Sequence, residues 1–125
     1  GGGAEVALPS GCAAVAACGA GGAVLAAGLD DGSVSVRSAA SLGHLRTIVA
    51  HDDVASCVAG LPSSGALATA GWDGVLRTWD LAGASEAPTL DLRAHGAAVR
   101  GLAAASPTLL ATVGQDMAAC VWDAR

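Results

Sequence analysis

Apolar residues occur along the chain in short runs, which Gly, Asp, Pro and Ser residues separate. Within several runs apolar and polar positions alternate, which is the period of a strand with one buried face. No stretch of about twelve residues shows helical periodicity. The pattern therefore predicts an all-β fold, with strands at 15–18, 24–28, 33–37, 45–49, 54–58, 66–70, 75–79, 89–92, 99–103, 109–113 and 118–122.

A set of four polar or aromatic residues occurs twice. The second His follows the first after 44 residues, and the second Thr, Asp and Trp follow after 43 residues. A loop between the His and the Thr can absorb the difference. Four strands in a period of about 43 residues predict the blade of a β-propeller. The two sets are His51, Thr69, Asp73 and Trp79, and then His95, Thr112, Asp116 and Trp122.

A weaker copy precedes these two. Residues 29–36 resemble residues 71–78 at an offset of 42, and both stretches contain Asp-Gly, a strong signal for a tight hairpin turn. In this first copy Ala27 stands in place of the Thr, and Arg37 stands in place of the Trp. The first copy keeps the turn and lacks the polar set, so we expect it to be the least stable of the three.

The two complete sets, each ending in Trp-Asp, resemble the WD-repeat family. The resemblance implies blades of four antiparallel strands, with an outer strand at 5–8 as the first element. A closed ring needs at least about four blades, so three repeats imply an open, partial propeller that is a piece of a longer one. Self-assembly of copies into a ring is the alternative. The predicted organisation is a single domain, 1–125, with repeats at roughly 5–38, 39–80 and 81–125.

The family resemblance also implies a role for the repeated polar residues. In WD repeats of this type they form a buried hydrogen-bond chain, in which the Trp79 indole donates to Thr69 and the Thr69 hydroxyl reaches His51. The other ring nitrogen of His51 then donates to Asp73, so that every buried polar group has a partner. The second chain would consist of Trp122, Thr112, His95 and Asp116.

Catalytic interpretations of these residues are weaker. A nucleophile, a base and an orienting carboxylate are needed once, whereas this set recurs with the repeat. The Gly-rich stretch 18–24 resembles part of a dinucleotide-binding fingerprint, but Val24 occupies the position of the third glycine and a strand is predicted next. A metal phosphohydrolase built on His51-Asp52 would need further ligands, and no second cluster is present. We therefore predict that the protein is not an enzyme.

The family resemblance places the residue before each turn Asp on the binding rim of the propeller. Those residues are Asp30, Trp72 and Gln115, and Trp72 is the strongest candidate because tryptophan is enriched at binding hot spots. Its alternative role is to pack over its own hairpin. Asp52 and Asp53 are either a solvated acidic loop or a contact for basic tails of partner proteins.

Four short stretches resemble a narrower group, the methylosome WD-repeat subunits. That group partners a protein arginine methyltransferase and presents basic histone and Sm-protein substrates to it. The resemblance implies the same role here, and the alternative is a WD-repeat scaffold of another multiprotein complex. The stretches are 51–54, 93–99, 104–107 and 121–125.

Composition and charge limit the kinds of partner that we expect this protein to bind. The net charge is −5 and the arginines are scattered, which argues against nucleic-acid binding. The uncharged run 6–29 contains Pro9 and five glycines, so we do not expect it to cross a membrane. No C-x-x-C spacing occurs among the cysteines, so we expect no metal site, and we expect no cofactor either. We expect the cysteines to be reduced thiols and the protein to be cytoplasmic or nuclear. The cysteines are Cys12, Cys18, Cys57 and Cys120.

Overall fold

The computed structural model describes residues 11–18, 24–38, 40–61, 66–81, 87–104, 106 and 109–123. Within these ranges all the regular elements are β-strands, and their number and order confirm the predicted all-β fold. The predicted outer strand at 5–8 lies outside the described residues. The strands are β1 Cys12–Cys18, β2 Val24–Leu29, β3 Ser33–Ser38, β4 His44–Val49, β5 Cys57–Gly60, β6 Leu67–Ala70, β7 Val75–Trp79, β8 Leu90–Arg93, β9 Val99–Ala104, β10 Leu109–Gly114 and β11 Ala119–Asp123.

The strands form three separate antiparallel sheets, each built from neighbours in the sequence. The first sheet contains β1 to β4, the second β5 to β8 and the third β9 to β11. The first two match the predicted four-stranded blades, and the third has three strands among the described residues. Because β1 is followed by the strand β2 rather than by a helix, the dinucleotide-binding alternative lacks its helix.

All three sheets share one register between their second and third strands. Leu67 pairs with Trp79 in the second sheet, and Leu110 pairs with Trp122 in the third. Leu25 pairs with Arg37 in the first sheet, so Arg37 occupies the tryptophan position there. The first copy therefore has the same backbone pairing as the other two, but it lacks their His, Thr, Asp and Trp set.

Two predicted strands began three residues away from the observed start, because β1 begins at Cys12 instead of 15 and β5 begins at Cys57 instead of 54. The pattern placed a strand at 54–58, whereas β5 spans Cys57–Gly60. The backbone of Val54 and Ala55 bonds to turns instead of a strand partner. The Val54 carbonyl accepts from Trp72 N at 3.0 Å, and Ala55 N donates to the Leu29 carbonyl at 3.1 Å. These residues therefore belong to a loop that is fixed on both sides.

The core lies between the sheets. One buried cluster joins the first and second sheets, and it places Trp79 of the second sheet against Ala26 and Val34 of the first. A second cluster joins the second and third sheets, with Leu76 and Leu110 at its centre and Trp122 packed against it. Trp79 and Trp122 thus each pack into a cluster shared with the sheet that precedes their own. No helix that could cross a membrane occurs in the described ranges.

Candidate binding rim and the polar clusters that support it

The first polar set forms a continuous buried chain of hydrogen bonds. Trp79 Nε1 donates to Thr69 Oγ1 at 2.9 Å, and Thr69 Oγ1 lies 2.9 Å from His51 Nε2. His51 Nδ1 lies 3.0 Å from Asp73 Oδ2. The chain connects β7 and β6 to the loop before β5 and then to the turn between β6 and β7.

The pattern of donors determines the protonation of His51. The Thr69 hydroxyl accepts from the indole, so its single proton points to His51 Nε2, and Nδ1 must carry the ring proton that Asp73 accepts. Removal from water lowers the pKa of His51 and outweighs the opposing effect of the Asp73 carboxylate. A charged ring would present a second donor to Thr69 and leave the hydroxyl proton without its acceptor.

The second set repeats this geometry in a more open place. Trp122 Nε1 donates to Thr112 Oγ1 at 2.9 Å, His95 Nε2 lies 2.8 Å from the same oxygen, and His95 Nδ1 lies 3.0 Å from Asp116 Oδ1. The side chain of Asp116 is 29% exposed, against 16% for Asp73. Desolvation raises the pKa of Asp116, but hydrogen bonds from two backbone N–H groups and from His95 lower it by a larger amount. The pKa of Asp116 is therefore below its usual value.

The first sheet contains a different polar arrangement at the equivalent positions. Arg37 Nε donates to Ser35 Oγ at 3.1 Å, and Arg37 Nη1 donates to the Leu42 carbonyl at 3.0 Å. Both contacts stay within the first sheet and its own turn. They hold the guanidinium group in place without connecting any loop to a distant turn.

Backbone hydrogen bonds connect each sheet to the next. We use the name entry loops for residues 51–55 and 95–98. His51 N donates to the Gly32 carbonyl at 2.9 Å, and His95 N donates to the Gly74 carbonyl at 3.1 Å. Gly32 and Gly74 both have positive φ, and a Cβ at either position would collide with the backbone carbonyl of the following histidine. Each entry loop is thereby fixed to the preceding sheet as well as to its own.

The turns and entry loops together form the rim, where the sequence placed the partner-binding residues. Trp72 is 47% exposed, and Asp30, Asp52, Asp53 and Gln115 are exposed as well. The backbone N–H of Trp72 is held by Val54, and that of Gln115 by the Ala98 carbonyl at 2.8 Å. The side chains therefore project from rigid positions.

A cavity of about 390 Å³ lies on the rim between the second and third sheets, and we call it the rim cavity. It brings together three predicted binding residues, while Asp30 and Asp52 lie outside it. Sequence reasoning missed two of the lining residues, Ala98 and Arg100, and Arg100 is the charged one. Its position in the repeat was the available signal, because Arg100 is 44 residues after Ser56, the same offset that separates the histidines. The lining residues are Asp53, Trp72, Ala98, Arg100 and Gln115.

The remaining titratable groups that the structure describes do not form a metal-binding arrangement. Among the described residues no group of three His, Cys, Asp or Glu side chains could hold a metal ion. Cys12, Cys57 and Cys120 are free thiols. Burial raises the pKa of the Cys57 thiol, which makes it a poor nucleophile at neutral pH.

Comparison with known proteins agrees with this architecture. Residues 43–80 match the family described as WD domain, G-beta repeat. Together with the three antiparallel sheets, this match defines the fold as a partial WD-repeat β-propeller, open across the described part of the chain. The matched segment contains β4 to β7 and the whole of the first hydrogen-bonded set.

One similar solved structure is a chain from the crystal structure of the mitotic checkpoint complex. It is 30% identical to this chain, the alignment covers 83% of this chain and 32% of that one, and the TM-score is 0.75. This chain therefore spans about a third of the length of the solved chain that it matches. No curated protein matches the sequence, and 851 solved chains match the structure. A fold shared so widely does not identify a binding partner.

Proposed function

We propose that this chain is part of a non-catalytic scaffold that binds other proteins through its rim. The carrying observation is the contrast between the buried polar sets and Trp72. His51 and Thr69 are buried and bonded to each other inside the protein, so a substrate cannot reach the imidazole or the hydroxyl. Trp72, in contrast, leaves 47% of its surface exposed beside a cavity. Large exposed aromatic side chains on a rigid frame are typical of protein-binding sites.

The charge of the rim favours basic partner segments. Asp30, Asp52 and Asp53 are exposed on neighbouring turns and loops of the rim. Complementary charge speeds the encounter of two proteins and excludes partners of the wrong sign. Basic tails of histones or Sm proteins would fit this requirement.

The finer proposal is an adaptor of the methylosome type, which presents basic substrates to a protein arginine methyltransferase in the cytoplasm or nucleus. It is supported by the sequence stretches named above and by the acidic rim. A scaffold of another multiprotein complex is the second candidate, and the likeness to a chain of the mitotic checkpoint complex favours it.

The test is affinity purification of the full-length protein from its own cells, followed by mass spectrometry. The variant Trp72→Ala should lose the partners that bind at the rim. Leu45→Ala is the matched control, because Leu45 is 55% exposed on β4, an outer strand away from the rim. Recovery of an arginine methyltransferase that depends on Trp72 supports the methylosome proposal. Recovery of other partners that depend on Trp72, without a methyltransferase, supports the scaffold proposal alone. Partners that bind Trp72→Ala as well as the parent would refute the proposal that the rim is the binding site.

A further inference from the structure

The side chains of the rim cavity offer more hydrogen-bond donors than acceptors. Arg100, Trp72 and Gln115 all carry N–H groups, and none of these side chains has a partner among the described residues. Asp53 is the one carboxylate among the described lining residues, and its Oδ1 already accepts from the backbone N–H of Val54 at 2.8 Å. The free donors of the cavity therefore outnumber the acceptor positions that its side chains leave open.

Arg100 differs from the other arginines that the structure describes. Each of the others is held by a carbonyl or carboxylate of the fold, whereas Arg100 is exposed and has no hydrogen bond or ion pair within the described ranges. The equivalent residue of the preceding copy, Ser56, donates to the Val99 carbonyl at 2.9 Å. The held arginines are Arg37 with Leu42, Arg46 with Asp80, Arg77 with Asp91, and Arg93 with Asp73.

We infer that the partner segment bound at the rim carries an acidic side chain that pairs with Arg100 in the rim cavity. A guanidinium group binds a carboxylate through two parallel N–H bonds, and the Trp72 and Gln115 donors can complete its coordination. The inference rests on the proposed function and refines it. Asp52 and Asp30 lie outside the cavity and remain available for basic residues of the same segment. The rim therefore selects a segment of mixed charge, not a uniformly basic tail.

The experiment is a selection of short random peptides displayed on phage, with the full-length protein as the target. The displayed peptides are unphosphorylated and have no free carboxyl terminus, so an acidic side chain is the anion they can offer. We expect the parent protein to enrich peptides with an acidic residue at a fixed position. Arg100→Glu should enrich peptides with a basic residue at that position. Arg46→Glu makes the same change of charge on β4 and should keep the acidic preference.

Affinity measurements make the test quantitative. Arg100→Gln should weaken the best selected peptide about tenfold, which is the loss expected for one charge-assisted hydrogen bond. Changing the acidic residue of the peptide to its amide should weaken binding to the parent by a similar factor and leave binding to Arg100→Gln almost unchanged. Arg100 is exposed, so the variants should unfold at the same temperature as the parent.

The outcomes separate this inference from the proposed function. If Trp72→Ala abolishes peptide binding while Arg100→Glu keeps the acidic preference, the rim is the binding site as proposed, but the inferred pairing with Arg100 is wrong. If the selected peptides bind equally to the parent, Trp72→Ala and Arg100→Glu, both proposals fail.

Discussion

The first and second sheets have the same strand pairing but different polar interiors. Leu25 faces Arg37 in the first sheet just as Leu67 faces Trp79 in the second. The second sheet adds a chain of hydrogen bonds that connects an entry loop to a turn, whereas the polar contacts of Arg37 stay within the first sheet. Apolar alternation and turn chemistry are thus sufficient to define a blade. The His, Thr, Asp and Trp set has the separate task of fixing the rim.

The tryptophan position should show the largest difference between the two sheets. Trp79 is 3% exposed and packs between the sheets, so Trp79→Ala should lower the free energy of unfolding by about 3–5 kcal/mol. Arg37→Ala at the equivalent position should cost much less, because Arg37 is only partly buried and bonds locally. Thermal and denaturant unfolding of the two variants would measure the contrast. Equal losses of unfolding free energy would mean that Arg37 and Trp79 stabilise the fold to the same extent, which would contradict this prediction.

The turn aspartates provide the next comparison. Asp73→Ala leaves the buried Nδ1–H of His51 without an acceptor, which should cost about 2 kcal/mol. Asp31 occupies the same position in the first copy, but it is exposed and bonds to the backbone and side chain of Ser33. Asp31→Ala should therefore have a smaller effect in the same unfolding assay. An unchanged midpoint for Asp73→Ala would refute the stabilising role of the chain.

The second sheet should also respond to acid in a way that the first sheet does not. Burial lowers the pKa of His51 below its ordinary 6.5, so the folded state binds the proton less readily than the unfolded state. The contribution of neutral His51 is fully present above pH 6.5 and is lost as the pH falls toward the lowered folded pKa. Unfolding midpoints measured across this range should fall for the parent. His51→Gln cannot titrate, so it should remove that part of the slope.

The features that sequence reasoning found are those that local residue chemistry determines. The pattern of apolar and polar residues predicted the number and order of the described strands, and the recurring set named the residues that meet in each cluster. The start of β5 was missed because Val54 and Ala55 bond to turns from two different sheets, which no local pattern reveals. Arg100 was missed for a related reason. A cavity between sheets depends on how two copies pack, and the residue attracts no notice by itself.

The turns allow the finest comparison, because two copies have glycine where the third has methionine. Gly32 and Gly74 have positive φ, and Met117 adopts the same conformation with φ of 65° while its side chain is 97% exposed. A left-handed conformation costs a non-glycine residue about 1–2 kcal/mol, and glycine loses part of this gain through the entropy of its unfolded state. Met117→Gly should therefore raise the free energy of unfolding by about 0.5–1 kcal/mol.

The reverse change supplies the control for this turn. Gly74→Ala should destabilise the protein for two reasons. The new Cβ would collide with the His95 carbonyl, and alanine disfavours the positive φ of this position. Denaturant unfolding of both variants under identical conditions would resolve changes of this size. If Met117→Gly were destabilising instead, the exposed methionine would be making a contact that offsets its backbone strain, and the third turn would not be equivalent to the first two.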